Sequence, residues 1–80
     1  MTNNLYKIAR AEHGGWDTFD SAVVVAESSK EAKMIHPNIY SYEEIDDWSW
    51  INADDVIVTY LGIADSNLKK GVIVASFNAG

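Results

Sequence analysis

Three tryptophans and a few cationic side chains are the residues of this chain best suited to chemistry, and that chemistry is binding. An indole ring can stack on a flat aromatic ligand, and Arg or Lys can bind an anionic group such as a phosphate. Backbone groups at the rim of such a pocket can add hydrogen bonds. The candidate ligand-binding residues are Arg10, Trp16, Trp48, Trp50, Lys69, Lys70, Phe77 and Asn78.

Each tryptophan also has a purely structural interpretation, because aromatic side chains supply much of the buried area of a small protein. Trp16 follows two glycines, and a ring in such a loop is more often folded onto the core than stacked on a ligand. Trp48 and Trp50 alternate, so an extended segment would turn one ring inward and the other outward. One of the pair is expected either to cover the core or to form a recognition surface.

The cations have structural interpretations as well. Arg10 ends the first apolar segment, where it can be a solvated charge paired with Asp17 or Asp20. Lys69 and Lys70 precede the last apolar segment, where they can solubilise a turn and protect a sheet edge. Phosphate contact is the functional alternative for all three cations.

The sequence carries no recognisable catalytic motif. The acidic residues 43–47, and the pair Asp17 and Asp20, have neither calcium-loop spacing nor a partner histidine, so they are interpreted as solvated surface. His36 precedes Pro37 and is interpreted as a cation at a helix C-terminus. Cysteine is absent, which excludes disulfides and thiolate metal sites. We therefore expect no enzymatic activity, no metal and no cofactor.

The length and the net charge of the chain restrict the kinds of binding partner it can have. The 80 residues predict one domain, residues 1–80, and a chain of this size buries only about 60% of its unfolded surface, so a homo-oligomer is expected to supply further burial. The formal net charge of −6 disfavours direct binding to duplex nucleic acid. No segment approaches the ~20 apolar residues of a membrane span. The expected partners are thus a small molecule, a second copy or another protein.

A short helix is predicted after Glu27. Ser28 and Glu31 have capping-box spacing, and Pro37 disfavours helix at the preceding residue, which leaves about two turns. The residues expected to face the sheet are Ala32 and Ile35, with Met34 as a further candidate, and those expected to stay in water are Lys30, Glu31 and Lys33.

Four segments have strand patterns. Residues 5–10 alternate, and residues 21–27 are β-branched and nearly all apolar, as in a central strand. Residues 55–64 and 71–77 alternate with apolar residues on both faces. The predicted fold is α+β, a four-stranded antiparallel sheet in the order β-β-α-β-β, with each consecutive strand pair forming a hairpin and the helix on one face. A loop, a ligand or a second subunit must cover the other face.

A long aromatic and acidic insert lies between the helix and the third strand. Residues 38–55 have no clear period, and loops this long in small domains are usually functional. One helical turn starting at Ser41 is a possible element, because Glu44 again has capping-box spacing. The insert is expected to lie over part of the sheet.

Three stretches of the chain resemble a family of small proteins of tailed phages. They are FDSAVVVAESSKEAKMIHP (residues 19–37), VTYLG (residues 58–62) and KGVIVASFNAG (residues 70–80). The resemblance covers most of the chain outside the insert and brings no catalytic residues with it. Phe19 stands where the family pattern has tyrosine, so no role for a hydroxyl group is implied there.

The resemblance implies a counter-defence role in the host bacterial cytoplasm. Our first hypothesis is a non-catalytic protein that sequesters a host immune-signalling nucleotide in a pocket between subunits. The second is an acidic inhibitor of a host protein, such as a defence nuclease, whose carboxylates at residues 43–47 stand in for phosphates. The third is a structural accessory protein of the phage.

Overall fold

Four strands, one α-helix and one short 3₁₀ helix form the part of the chain that the structure describes. The structure is a computed structural model and describes residues 2–11, 18–37, 50–51 and 53–78. In chain order the elements are β1 (Asn4–Ala9), β2 (Thr18–Ala26), α1 (Ser29–Lys33), the 3₁₀ helix (Ala53–Asp55), β3 (Ile57–Ile63) and β4 (Gly71–Asn78). The α+β class with a four-stranded antiparallel sheet is confirmed.

The central hairpin is the one predicted from the first two strand patterns. Across the sheet the strands lie in the order β3-β1-β2-β4, and every neighbouring pair is antiparallel. On β1, Tyr6 lies opposite Val24 of β2 and opposite Tyr60 of β3. The β-branched segment that predicted a central strand is therefore central, with a paired strand on each side.

The last two strands do not form the predicted hairpin. β3 pairs with β1 and β4 pairs with β2, so these two strands are the opposite edges of the sheet. The connection, residues 64–70, crosses the ends of the central hairpin, a distance of three strand spacings or about 14 Å, which a chain of this length spans easily. The prediction relied on chain adjacency, and consecutive strands are neighbours only about two-thirds of the time.

The core lies between α1 and one face of the sheet, called here the helix face. Along β1 the alternation is as predicted, since Tyr6 and Ile8 are buried on this face and Lys7 is exposed on the other. α1 packs against β1, β2 and β3. The buried cluster comprises Tyr6, Ile8, Phe19, Ala22, Val24, Ala26, Ala32, Trp50 and Val56.

The start of α1 has the predicted cap. Ser28 is the N-cap, and its Oγ accepts a hydrogen bond of 3.1 Å from the Glu31 backbone N–H. The Glu31 carboxylate in turn accepts from the backbone N–H of Glu27 at 3.3 Å, one residue before the cap. Of these two bonds, the one from the Glu31 N–H satisfies a donor that a helix N-terminus leaves without a partner. They also fasten α1 to the end of β2.

The helix is shorter than the predicted two turns, with five residues in helical conformation. Ala32 is fully buried and Ile35 packs against the core, as predicted. Met34, the further candidate for the sheet side, is instead 72% exposed. Neither helix within the described ranges is long and apolar enough to cross a membrane.

The opposite side of the sheet, called here the open face, carries exposed apolar side chains at the edges. The strand register places Val23 and Val74 side by side on this face, and Val74 is 56% exposed. Towards the other edge, Ile57 is 49% exposed. Near the end of the central hairpin, Val25 is fully buried on the same face. The prediction that this face is left uncovered by the helix is confirmed for its edges.

Each edge strand contains one irregularity in its pairing. The register of β3 against β1 shifts between Tyr60 and Gly62, which leaves Leu61 as an extra residue. The register of β4 against β2 shifts in the same way around Ile73. Bulges of this kind increase local twist. A further shift lies on the β2 side, where Asp20 is an extra residue, so β4 pairs regularly with β2 from Val74 to Ser76 between the two shifts.

Only the last part of the insert is described. Trp50 and Ile51 pack against the core, and the 3₁₀ helix leads into β3. The helical turn predicted from Ser41, the acidic residues 43–47 and most of the aromatic loop lie outside the described residues.

Candidate functional site

The structure separates the candidate ligand-binding residues into two groups at opposite ends of the sheet. Arg10 follows the last residue of β1, and Phe77 and Asn78 end β4, so all three lie at one end, called here the Arg10 end. Lys69 and Lys70 precede β4 and lie at the other end, called the Lys70 end. The eight residues of β4 separate these ends by about 24 Å. One copy of the chain cannot use both groups in one pocket.

At the Arg10 end, the guanidinium is held by the backbone of the central hairpin. Nη1 of Arg10 donates to the carbonyl oxygen of Phe19 at 3.4 Å, and the Arg10 backbone N–H donates to the carbonyl of Asp20 at 3.3 Å. A cleft of about 370 Å³, the Arg10 cleft, is lined by Arg10, Ala11, Ile51 and Asp55. The Asp55 carboxylate in this cleft opposes the binding of a phosphate beside it.

An aromatic cluster also lies at the Arg10 end. The rings of Phe19 and Phe77 have centroids 4.8 Å apart, and His36 meets Phe19 edge-on at 6.0 Å. Phe19 is buried, whereas Phe77 is 47% exposed. His36 follows the C-cap residue Met34 by two positions, and its ring packs on the buried Phe19. The exposed part of Phe77 is the one described aromatic surface among the candidate residues.

Trp50 is a core residue and not part of a recognition surface. It is 7% exposed and belongs to the buried cluster, so stacking on a ligand would require the core to open. The sequence allowed either ring of the Trp48 and Trp50 pair to cover the core, and in the structure Trp50 does so. Trp16 and Trp48 lie outside the described residues.

Lys70 is engaged by two carboxylates. Its Nζ lies 2.9 Å from Glu27 Oε1 and 3.5 Å from Glu31 Oε1. The hydrogen bond to Glu27, together with the negative charge of Glu27 and Glu31, raises the pKa of Lys70 above its usual 10.5. A cation already matched by two carboxylates is a poor phosphate ligand. Lys69 is exposed beside it.

A cationic cleft that the sequence interpretation missed lies between α1 and β3. It measures about 420 Å³ and is called here the lysine cleft; it is lined by Ser29, Lys30, Lys33, Val56 and Val58. Lys30 is exposed to water as predicted and Lys33 is half-buried, and both line this cleft. Residues three apart on a helix share one face, so their spacing was the available signal. The burial of Val56 and the half-burial of Val58 give the cleft an apolar floor.

The two clefts differ in charge. Among the residues that the structure describes, those lining the lysine cleft include two cations and no carboxylate, whereas those lining the Arg10 cleft include one of each. The volume of the lysine cleft falls within the range of about 300–1,000 Å³ that small-molecule sites occupy. Within the described ranges, no group of three or more His, Cys, Asp or Glu residues is placed to hold a metal ion. The lysine cleft is thus the better site for a small anion with an apolar part.

Comparison of the chain with protein-family models, with curated proteins and with solved structures gives no match.

Proposed function

We propose that this protein binds and sequesters a small signalling nucleotide without catalysing a reaction, and that the lysine cleft is its binding site. The observation that supports the proposal is that Lys30 and Lys33 line the same cleft as the apolar residues Val56 and Val58. The ammonium groups suit the phosphates, and the floor suits one face of a nucleobase. The resemblance to small phage proteins supports a counter-defence role in the host bacterial cytoplasm.

The composition of the cleft favours binding over chemistry. The described residues that line it are two lysines, one serine and two valines, and none of these is a carboxylate or histidine that could act as a general base near neutral pH. Ser29 is exposed in the first turn of α1, and none of the described lining residues is a histidine that could activate its hydroxyl. A ligand bound here would be held and released unchanged. Sequestration needs no more than this.

The experiment is native mass spectrometry of the protein with nucleoside monophosphates, cyclic mononucleotides and cyclic dinucleotides, followed by calorimetry on any that binds. Lys30→Ala and Lys33→Ala should each weaken binding about tenfold or more, since each removes a charge-assisted hydrogen bond. Lys69→Ala is the matched control, because it removes the same charge from an exposed position at the Lys70 end. Affinity should also fall as salt is raised.

Several results would count against the proposal. Equal weakening by Lys69→Ala would mean that only net charge matters. Weakening by Arg10→Ala, with the lysine variants unaffected, would move the site to the Arg10 cleft. Retention of a host polypeptide in place of any nucleotide would favour the inhibitor hypothesis.

A further inference from the structure

We propose that the edge of β4 pairs antiparallel with β4 of a second copy, so that two four-stranded sheets join into one of eight strands. An edge strand presents a row of backbone N–H and C=O groups that can pair with another chain, and natural proteins usually protect such edges with charges, proline or bulges. β4 reads GVIVASFN and contains neither a charged residue nor proline. Val72 and Ala75 pack against the core, but Val74 is 56% exposed and Phe77 is 47% exposed.

The geometry of β4 suits this pairing. Ile73 is an extra residue on β4, and Asp20 is an extra residue on β2, so Val74–Ser76 is the stretch of β4 that pairs regularly with β2 between these two shifts. A two-fold axis at the middle of this stretch places Val74 of one copy diagonally across from Val74 of the other. Two such stretches related by a two-fold axis present complementary hydrogen-bonding groups, because an antiparallel pair is symmetric. α1 covers the other part of the sheet, over β3, β1 and β2. The approach of a second β4 is therefore not blocked by the helix.

The charged residues that flank the two edge strands favour pairing through β4 and not through β3. β3 is preceded by the exposed residues Asp54 and Asp55 and followed by the exposed Asp65. Antiparallel pairing of two β3 strands would bring the acidic start of one beside the acidic end of the other, in a protein that already carries a net charge of −6. Between residues 66 and 80 the charged residues are Lys69 and Lys70 alone. Two β4 strands thus meet without carboxylates of their own.

Antiparallel pairing lays the Lys70 end of one copy beside the Arg10 end of the other. Asp20 and Arg10 both lie at that end, and their opposite charges offset one another, so the exposed Lys69 of the second copy does not meet a group of like charges there. The pairing therefore joins two strands that carry no charged residue of their own. It does not depend on the nucleotide site, which lies across the sheet between α1 and β3.

Sedimentation equilibrium tests this interface through Val74. The wild type should have twice the 8.9 kDa mass of the chain. Val74→Glu places two like charges near the two-fold axis, and Val74→Lys does the same with the opposite sign, so each variant alone should have the monomer mass. An equimolar mixture of the two should recover the dimer mass, because unlike charges then face each other. Ile57→Glu, on the β3 edge, is the matched control and should remain a dimer.

Circular dichroism shows whether each variant keeps its sheet, which is expected because Val74 is more than half exposed. A monomeric wild type would overturn the proposal, as would a Val74→Glu protein that stays dimeric. Dissociation by Ile57→Glu with Val74→Glu unaffected would place the interface on β3 instead. Failure of the mixed charge variants to associate would show that β4 does not meet β4.

Discussion

Lys70 Nζ lies 2.9 Å from Oε1 of Glu27, and this ion pair joins the start of β4 to the end of β2. Glu31 of α1 completes the arrangement at 3.5 Å from the same Nζ. The ammonium group of Lys70 therefore meets two carboxylates from a segment about 40 residues earlier in the chain. The pair lies where the connection from β3 has just crossed the central hairpin, so it helps to hold β4 against β2.

Replacing Lys70 should lower stability in a pH-dependent way. The carboxylates raise its pKa in the folded state above 10.5, so its contribution is complete below that pH and is lost as the pH rises through the folded-state value. Lys70→Ala should unfold at a lower urea concentration than wild type at neutral pH, and the difference should shrink above pH 10.5. Lys69→Ala is the control and should match wild type. A difference that persists unchanged in strong alkali would assign the effect to packing.

Removing the Trp50 ring should come close to unfolding the protein. A buried tryptophan replaced by alanine costs about 3–5 kcal/mol, which is a large part of the 5–15 kcal/mol typical of whole domains. Trp50→Phe keeps most of the ring volume and should cost clearly less. Guanidinium unfolding followed by circular dichroism measures both variants. If Trp50→Ala and Trp50→Phe lowered the free energy of unfolding by the same small amount, the Trp50 ring would not be packed in the core.

The cap of α1 is testable with two neighbouring serines. Ser28→Ala removes the hydroxyl that accepts from the Glu31 backbone N–H and should cost about 1 kcal/mol. Ser29→Ala changes the same side chain one residue later, inside the helix, where alanine is the better helix former. Chemical denaturation should therefore separate the two variants. Indistinguishable midpoints would contradict the assignment of Ser28 as the cap.

Gly71 occupies a backbone conformation that other residues rarely adopt. Its φ is 124°, and a Cβ added there would meet no atom within 4 Å, so the cost of a side chain is conformational and not steric crowding. Gly71→Ala should destabilise the protein by about 1–3 kcal/mol. Ser76→Ala, in the same strand, should have little effect on the thermal midpoint. A Gly71→Ala protein as stable as wild type would mean that this backbone is not held in place.

Local features of this fold follow from the sequence because they depend on neighbouring residues. Alternation along β1 placed Tyr6 and Ile8 on one face, since a strand repeats every two residues. The capping spacing of Ser28 and Glu31 placed the start of α1, since a helix repeats every 3.6 residues. These periods also predicted the α+β class, and the nearly continuous apolar, β-branched composition of residues 21–27 predicted the central position of β2.

Contacts between distant segments were decided by the tertiary structure. The apolar pattern of β4 fits beside β3 or beside β2 equally well, because a strand pattern records which side chains are buried and not which strand lies next to it. Trp50 is buried and Lys70 is neutralised by Glu27 only because of how the chain returns across the sheet. Lys30 and Lys33 line a cleft only because α1 packs beside β3. Residue types and spacing determined the elements, and the packing of those elements determined which charges are free to bind.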